Sequence, residues 1–160
     1  MKTLAIDLGT VCGWALVHQG AIVQSGSFEL ATSAELERQR HEGSDRTGDV
    51  RFERLHRFLD AAAQEGTERL VLEDIGFVKS RMQGQLWASL RSAAWAVALA
   101  HRGLTIRCVS SVTLKHFATG NGCATKEAMA LALTERDPAR FQTTGNGLVR
   151  KASGALADHN

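Results

Sequence analysis

Two acidic residues in this chain each close a short apolar run, and they are the side chains best placed to do chemistry. Asp7 follows Leu4-Ala5-Ile6, and Glu73 follows Leu70-Val71-Leu72. A carboxylate held where a buried strand leaves the core is stripped of water, at a cost on the order of several kcal/mol, unless a cation or a set of donors meets it. If the two strands are neighbours in one sheet, the carboxylates stand side by side and repel, which calls for a divalent cation between them. A ligand set made only of oxygen suits Mg²⁺, with Mn²⁺ as its substitute. Asp158, near the C-terminus with His159 beside it, is the expected third ligand. Each acid also has a simpler reading: Asp7 as a cap on the Gly9-Thr10 turn, Glu73 as an exposed strand end with Asp74 as the buried partner, Asp158 as a solvated tail residue.

A second cluster is basic. Lys115 to Lys126 puts two lysines around a turn that contains Gly120 and Gly122, ahead of a helix for which Thr125 is a plausible N-cap. Backbone amides, the helix dipole and two ammonium groups would together suit a phosphate. The alternative is a surface turn with two solvated lysines. Phe77, Lys79 and Arg81 follow Glu73 in a glycine-containing loop. Phe77 is either a plug in the core or an exposed wedge able to stack on an unpaired base.

The elements that must position these residues follow from periodicity. Residues 3–8, 11–18 and 21–29 read as three short strands joined by tight turns, an antiparallel meander. Residues 31–48 are polar and read as a loop. Phe52, Leu55, Leu59 and Ala62 then recur at helical spacing in a helix that ends at Gly66, and a strand through Leu70-Val71-Leu72 follows. A long helix through about His101 carries Leu86, Leu90, Ala94 and Val97 as its stripe, Gly103 stops it, and residues 104–109 form another strand. Lys126 to Leu133 reads as a last helix, ended by Asp137-Pro138. Strands that alternate with helices imply parallel strands added to the opening meander, an α/β domain with a mixed five-stranded sheet flanked by helices.

The 160 residues are long enough for one domain with a proper core, and 44% hydrophobic with 22% charged is an ordinary globular composition. No apolar run approaches the roughly 20 residues of a membrane span, and no signal-peptide pattern opens the chain, so no membrane and a cytoplasmic location are expected. Three cysteines without CxxC spacing favour reduced thiols over disulfides or a zinc site. The net charge of +2 is small, but Lys79, Arg81, Lys115, Lys126, Arg150 and Lys151 make the second half the more basic one.

Taken in order, Leu4-Ala5-Ile6-Asp7-Leu8-Gly9-Thr10 with Gly13-Trp14-Ala15, then Leu70-Val71-Leu72-Glu73, then Val112-Thr113-Leu114-Lys115 through Gly120-Asn121-Gly122 to Lys126, resemble the RuvC-type Holliday junction resolvases. The resemblance is to their diverged phage and prophage branch. It spans residues 3 to about 133, and Lys-x4-Gly-x-Gly-x3-Lys is its most specific part. What it implies is an RNase H-like fold, a homodimer, and a Mg²⁺-dependent endonuclease that cleaves two opposed strands of a four-way DNA junction. Asp7 and Glu73 match the first two metal-binding acids, and Lys115 and Lys126 the basic residues near the scissile phosphate. Lys126 is thereby counted with Asp7, Glu73 and Asp158 in the catalytic set, while Asp158 and His159 complete the expected metal ligands. Lys115, Lys126, Phe77, Lys79 and Arg81 are the expected DNA contacts, and the helix from Met82 to His101, with Trp87 and Trp95, the expected dimer face. The family's final helix supplies further acids, whereas this sequence reads Ala157-Asp158-His159-Asn160, so that helix is expected to be missing or truncated. Two other functions stay open: a junction-binding or architectural module without cleavage, and a nucleotide-binding fragment, since Ile6-Asp7-Leu8-Gly9-Thr10 also resembles the phosphate loop of actin, heat-shock chaperones and sugar kinases.

Overall fold

A computed structural model describes residues 1–41, 48–74 and 80–136, position 138, and the backbone of 141–143 and 149–151. Within it the chain forms two compact units, Met1–Val109 and Ser110–Asn160. None of the described helices is long and apolar enough to cross a membrane.

The first unit is built on the expected meander. Strands β1 (Lys2–Asp7), β2 (Val11–His18) and β3 (Ala21–Glu29) pair antiparallel in sequence, Leu4 opposite Leu16 and Trp14 opposite Gly26. Strand β4 (Arg69–Asp74) adds parallel to β1 on the other side, and β5 (Thr105–Ser110) lies beyond it, giving the order β3-β2-β1-β4-β5. The Thr105 amide donates to the Glu68 carbonyl at 3.0 Å, so β4 and β5 start together and run the same way. This is the mixed five-stranded sheet the periodicity implies.

Side chains alternate across a strand, so each strand divides between two faces. Leu4 and Ile6 of β1 and Leu70 and Leu72 of β4 are buried on one face. They form the core with Leu55 and Leu59 of α2 (Val50–Gln64) and Leu90, Ala93, Ala94 and Val97 of α3 (Arg81–Ala100). Those are the stripes of helical spacing seen in the sequence. Phe58 extends the packing toward the meander edge, its ring centroid 5.6 Å from Trp14 and 4.6 Å from Phe28.

One helix was not expected. Residues Ser33–His41 form α1, inside the segment that reads as a loop. It buries no side chain, so no apolar stripe announces it. Its start is held by reciprocal capping: the Glu35 amide donates to the Thr32 hydroxyl at 3.2 Å, and the Glu35 carboxylate accepts from the Thr32 amide at 2.7 Å. Arg54 of α2 then donates to Glu35 at 2.7 Å and ties the two helices together. This pairing, with Thr32, holds the Glu35 carboxyl down to about 2.

In the second unit, α4 (Ser111–Thr119) is a further helix that the glycine-rich motif concealed, since its apolar positions form no buried stripe. Ser110 caps it by accepting from the Thr113 amide at 3.1 Å. Helix α5 (Lys126–Arg136) follows and packs on α4, and a hairpin of β6 (Phe141–Thr143) and β7 (Val149–Lys151) packs on α5. As expected, Thr125 caps α5, its hydroxyl accepting from the Ala128 amide at 3.2 Å.

Candidate active site

The position of Asp7 and Glu73 follows from one register. Strands β1 and β4 are paired in parallel with Leu4 opposite Leu70 and Ile6 opposite Leu72. Asp7 and Glu73 come next on each strand, so they stand beside each other at the C-terminal ends of two adjacent parallel strands. The alternation that buries Ile6 and Leu72 in the core turns both acids to the opposite face, where Asp7 is exposed and Glu73 half-buried. The expectation of paired carboxylates at neighbouring strand ends therefore matches the structure. The expectation that Asp7 loses its water does not, because it stands on the outer face. Its charge still reaches the adjoining strand: burial pushes the Cys12 thiol up, backbone hydrogen bonding at Gly9 opposes the rise, and the Asp7 carboxylate adds to it.

Asp74 corrects the simpler reading of Glu73. It is exposed rather than buried, and alternation sets it on the face of Leu70 and Leu72, toward α3. There Arg91 of α3 donates to it at 3.1 Å, and the Arg91 guanidinium lies 5.1 Å from the centre of the Trp87 ring. This ion pair holds the end of β4 onto α3, next to Glu73. Nothing in the local sequence marks Arg91 for this role, since it lies mid-helix and meets Asp74 only through the crossover from β4 to α3.

Among the described residues no group of three or more His, Cys, Asp or Glu side chains converges as a metal site. Two acids side by side are the donor set that is present. A pair of carboxylates with no nitrogen or sulfur donor fits a hard cation such as Mg²⁺ or Mn²⁺ and not a soft one. Asp158 and His159, the expected third ligands, lie outside the described residues, as do Phe77 and Lys79. Arg81 is exposed at the start of α3, which Ser80 caps by accepting from the Gln83 amide at 3.2 Å. Trp87 faces the core rather than the outer side expected of it, whereas Trp95 is exposed.

The second unit carries the two-lysine motif, with half-buried Lys115 on α4 and exposed Lys126 opening α5. Both motif glycines have physical reasons. Gly120 closes α4 in the left-handed region at φ 77°, its amide donating to the His116 carbonyl at 2.7 Å. A Cβ on Gly122 would sit 2.8 Å from Cγ1 of Val112, so a side chain there would have to displace Val112. Within the turn the Asn121 amide donates to the Thr119 hydroxyl at 3.1 Å and the Cys123 amide to Oδ1 of Asn121 at 2.9 Å. The Ala124 amide donates to the Asn121 carbonyl at 3.1 Å. Glu127, whose carboxyl is held low by its own backbone amide and by the Thr125 hydroxyl, already places an anion at the start of α5. Much of the donor capacity expected for a phosphate is spent inside the turn, which leaves the lysines as its cations. All three cysteines are free thiols: Cys12 buried, Cys108 half-buried, Cys123 exposed.

No protein family model matches the chain, and no curated protein matches it in sequence. Solved structures do match in shape. A structure of RuvC from Thermus thermophilus superposes with a TM-score of 0.62 at 18% identity, over 84% of this chain and 79% of that one. RuvC of T. thermophilus in complex with a Holliday junction substrate gives 0.63 at 16% identity, over 84% and 77%. The yeast mitochondrial Holliday junction resolvase Ydc2 gives 0.56 at 14% identity, over 84% of this chain and 61% of that one. The chain thus has the RNase H-like α/β fold in the form found in RuvC-type resolvases.

Proposed function

We propose that this chain is a metal-dependent nuclease that resolves four-way DNA junctions. The observation that carries the reading is the register that brings Asp7 and Glu73 together at the C-terminal ends of β1 and β4. A fold of the RuvC type supports it, since one of those similar structures holds a Holliday junction.

On this reading Asp7 and Glu73 hold the divalent ion, with a C-terminal acid, Asp158, as third ligand and His159 as its substitute. Mg²⁺ or Mn²⁺ bound there supplies charge to the attacked phosphodiester and lowers the pKa of an attacking water. Lys115 and Lys126 meet the phosphate and offset the charge that grows on it in the transition state. Phe77, Lys79 and Arg81 contact the DNA. The Arg91–Asp74 pair keeps the end of β4, and with it Glu73, in register.

A two-fold junction needs two equivalent sites, so a homodimer belongs to the proposal. Its face is the outer stripe of α3, where Ala88, Ser92, Trp95, Ala96 and Leu99 are exposed at helical spacing. Leu99 is 85% exposed and Trp95 44%. The cytoplasm is the proposed location.

Cleavage of a synthetic four-way junction in Mg²⁺ or Mn²⁺ tests the reading, with a linear duplex as control. Asp7→Asn and Glu73→Gln each abolish cleavage while junction binding persists. Cleavage retained by either variant refutes the site. A wild-type chain that binds junctions and cleaves none in any divalent ion selects the architectural reading instead.

A further inference from the structure

Among the described residues, Phe117 is the aromatic side chain that the fold displays most openly, and the proposed chemistry does not use it. It lies on α4 at 72% exposure, with His116 exposed beside it. An exposed phenylalanine normally gains freedom of motion in return for its lost burial, but this one is held. The guanidinium of Arg136, the last residue of α5, lies 4.8 Å from the ring centroid and donates to the Phe117 carbonyl oxygen at 2.9 Å. One arginine thus fixes both the backbone and the ring, and adds a cation to the π system. The result is an aromatic surface with positive charge against its ring and open to solvent.

Charge decides what such a surface takes. Helix α4 carries Lys115 and no acid. Counted over the sequence, Ser110–Asn160 holds six Lys and Arg against four Asp and Glu, whereas Met1–Val109 holds thirteen of each. The whole net charge of +2 therefore belongs to the unit that displays Phe117. An apolar protein partner would find a guanidinium on the ring, while a nucleic-acid base finds a π face, a cation against it and Lys115 on the same helix.

We propose that Phe117, locked by Arg136, is a stacking platform for an unpaired base of a DNA strand. The proposal rests on the reading that the chain binds DNA and adds to it a contact to single-stranded, not duplex, DNA. It gives Phe117 a role distinct from those proposed for Asp7, Glu73 and Lys126.

The test uses the full chain with a labelled single-stranded oligonucleotide, the matching duplex, and an oligonucleotide carrying 2-aminopurine, whose fluorescence falls when it stacks. Phe117→Leu keeps an apolar side chain and removes the π face; Phe117→Trp keeps the face. The expected result is about tenfold weaker single-strand binding by Phe117→Leu, within the range for one base–aromatic stack. Duplex affinity stays unchanged, 2-aminopurine quenching is lost, and Phe117→Trp retains both properties. Arg136→Gln, which frees the ring without removing it, gives a smaller loss. Equal single-strand affinity of Phe117→Leu and wild type overturns the platform while leaving DNA binding intact. A shift of oligomeric state in Phe117→Leu, read by light scattering, overturns it in favour of a protein interface. A wild-type chain that binds none of the three DNAs overturns the DNA reading itself.

Discussion

Replacing Asp7 by Asn should change stability in opposite directions with and without a divalent ion. Neighbouring strands run about 4.8 Å apart, so the carboxylates of Asp7 and Glu73, adjacent in register, stand about 5 Å from each other. At that distance two unit charges repel by about 0.8 kcal/mol in water-like surroundings and about 3 kcal/mol at an effective dielectric of about 20. Asp7 lies on the exposed side of that range, so relief of about 1 kcal/mol is expected when one charge is removed in chelator. For a chain of this size that raises the unfolding midpoint by about 2–4 °C. With Mg²⁺ at about ten times its dissociation constant, the wild type gains about 1.4 kcal/mol by mass action, and the variant gains almost none. The two stability orders therefore cross. Thermal unfolding followed by circular dichroism, in chelator and across a Mg²⁺ series, measures both. If Asp7→Asn is the less stable protein in chelator, the carboxylate serves the Gly9-Thr10 turn more than it repels Glu73, and the paired-acid reasoning fails. Equal Mg²⁺ stabilisation of both proteins refutes the ion site.

Leu59 is fully buried between α2 and the sheet, so Leu59→Ala should lose about 2–5 kcal/mol in urea unfolding, the range for a core cavity. Gly120→Ala forces a side chain into the left-handed region at φ 77° and should cost about 1 kcal/mol. Gly122→Ala meets Cγ1 of Val112; its loss should shrink in a Val112→Ala background, where that of Gly120→Ala persists. Glu35 has its carboxyl held near 2 by Arg54 and Thr32, below the ordinary 4.5. Its contribution is therefore present above pH 4.5 and fades as the pH falls toward 2. Stability measured against pH should separate wild type from Glu35→Gln above pH 5 and bring them together near pH 2. The Arg91–Asp74 pair is half-exposed, so Arg91→Ala should lose no more than about 1 kcal/mol, and salt should weaken the wild type toward the variant.

Much of this molecule can be read from local patterns. The apolar runs around Ile6 and Leu72, the stripe from Phe52 to Ala62 and the stripe from Leu86 to Val97 all became elements of the core, because burial demands a fixed period. The carboxylates at the ends of two such runs were equally visible. Helices α1 and α4 were not, for one reason. Neither buries a side chain, so periodicity had nothing to report and only the Thr32–Glu35 and Ser110–Thr113 caps mark them.

The pairing of Asp7 with Glu73 belongs to the tertiary structure. Residues 66 positions apart become neighbours only when β4 joins β1 in parallel with Ile6 opposite Leu72. A slip of one residue would send Glu73 into the core face and Asp74 toward Asp7. That slip is resisted by Leu70 and Leu72, which would lose their burial, and by Arg91, which holds Asp74 on the α3 side. Composition and spacing thus determined that two acids end two strands. Core packing across the sheet decided that they face each other's side, since register is set by which leucines are buried and no local signal carries it.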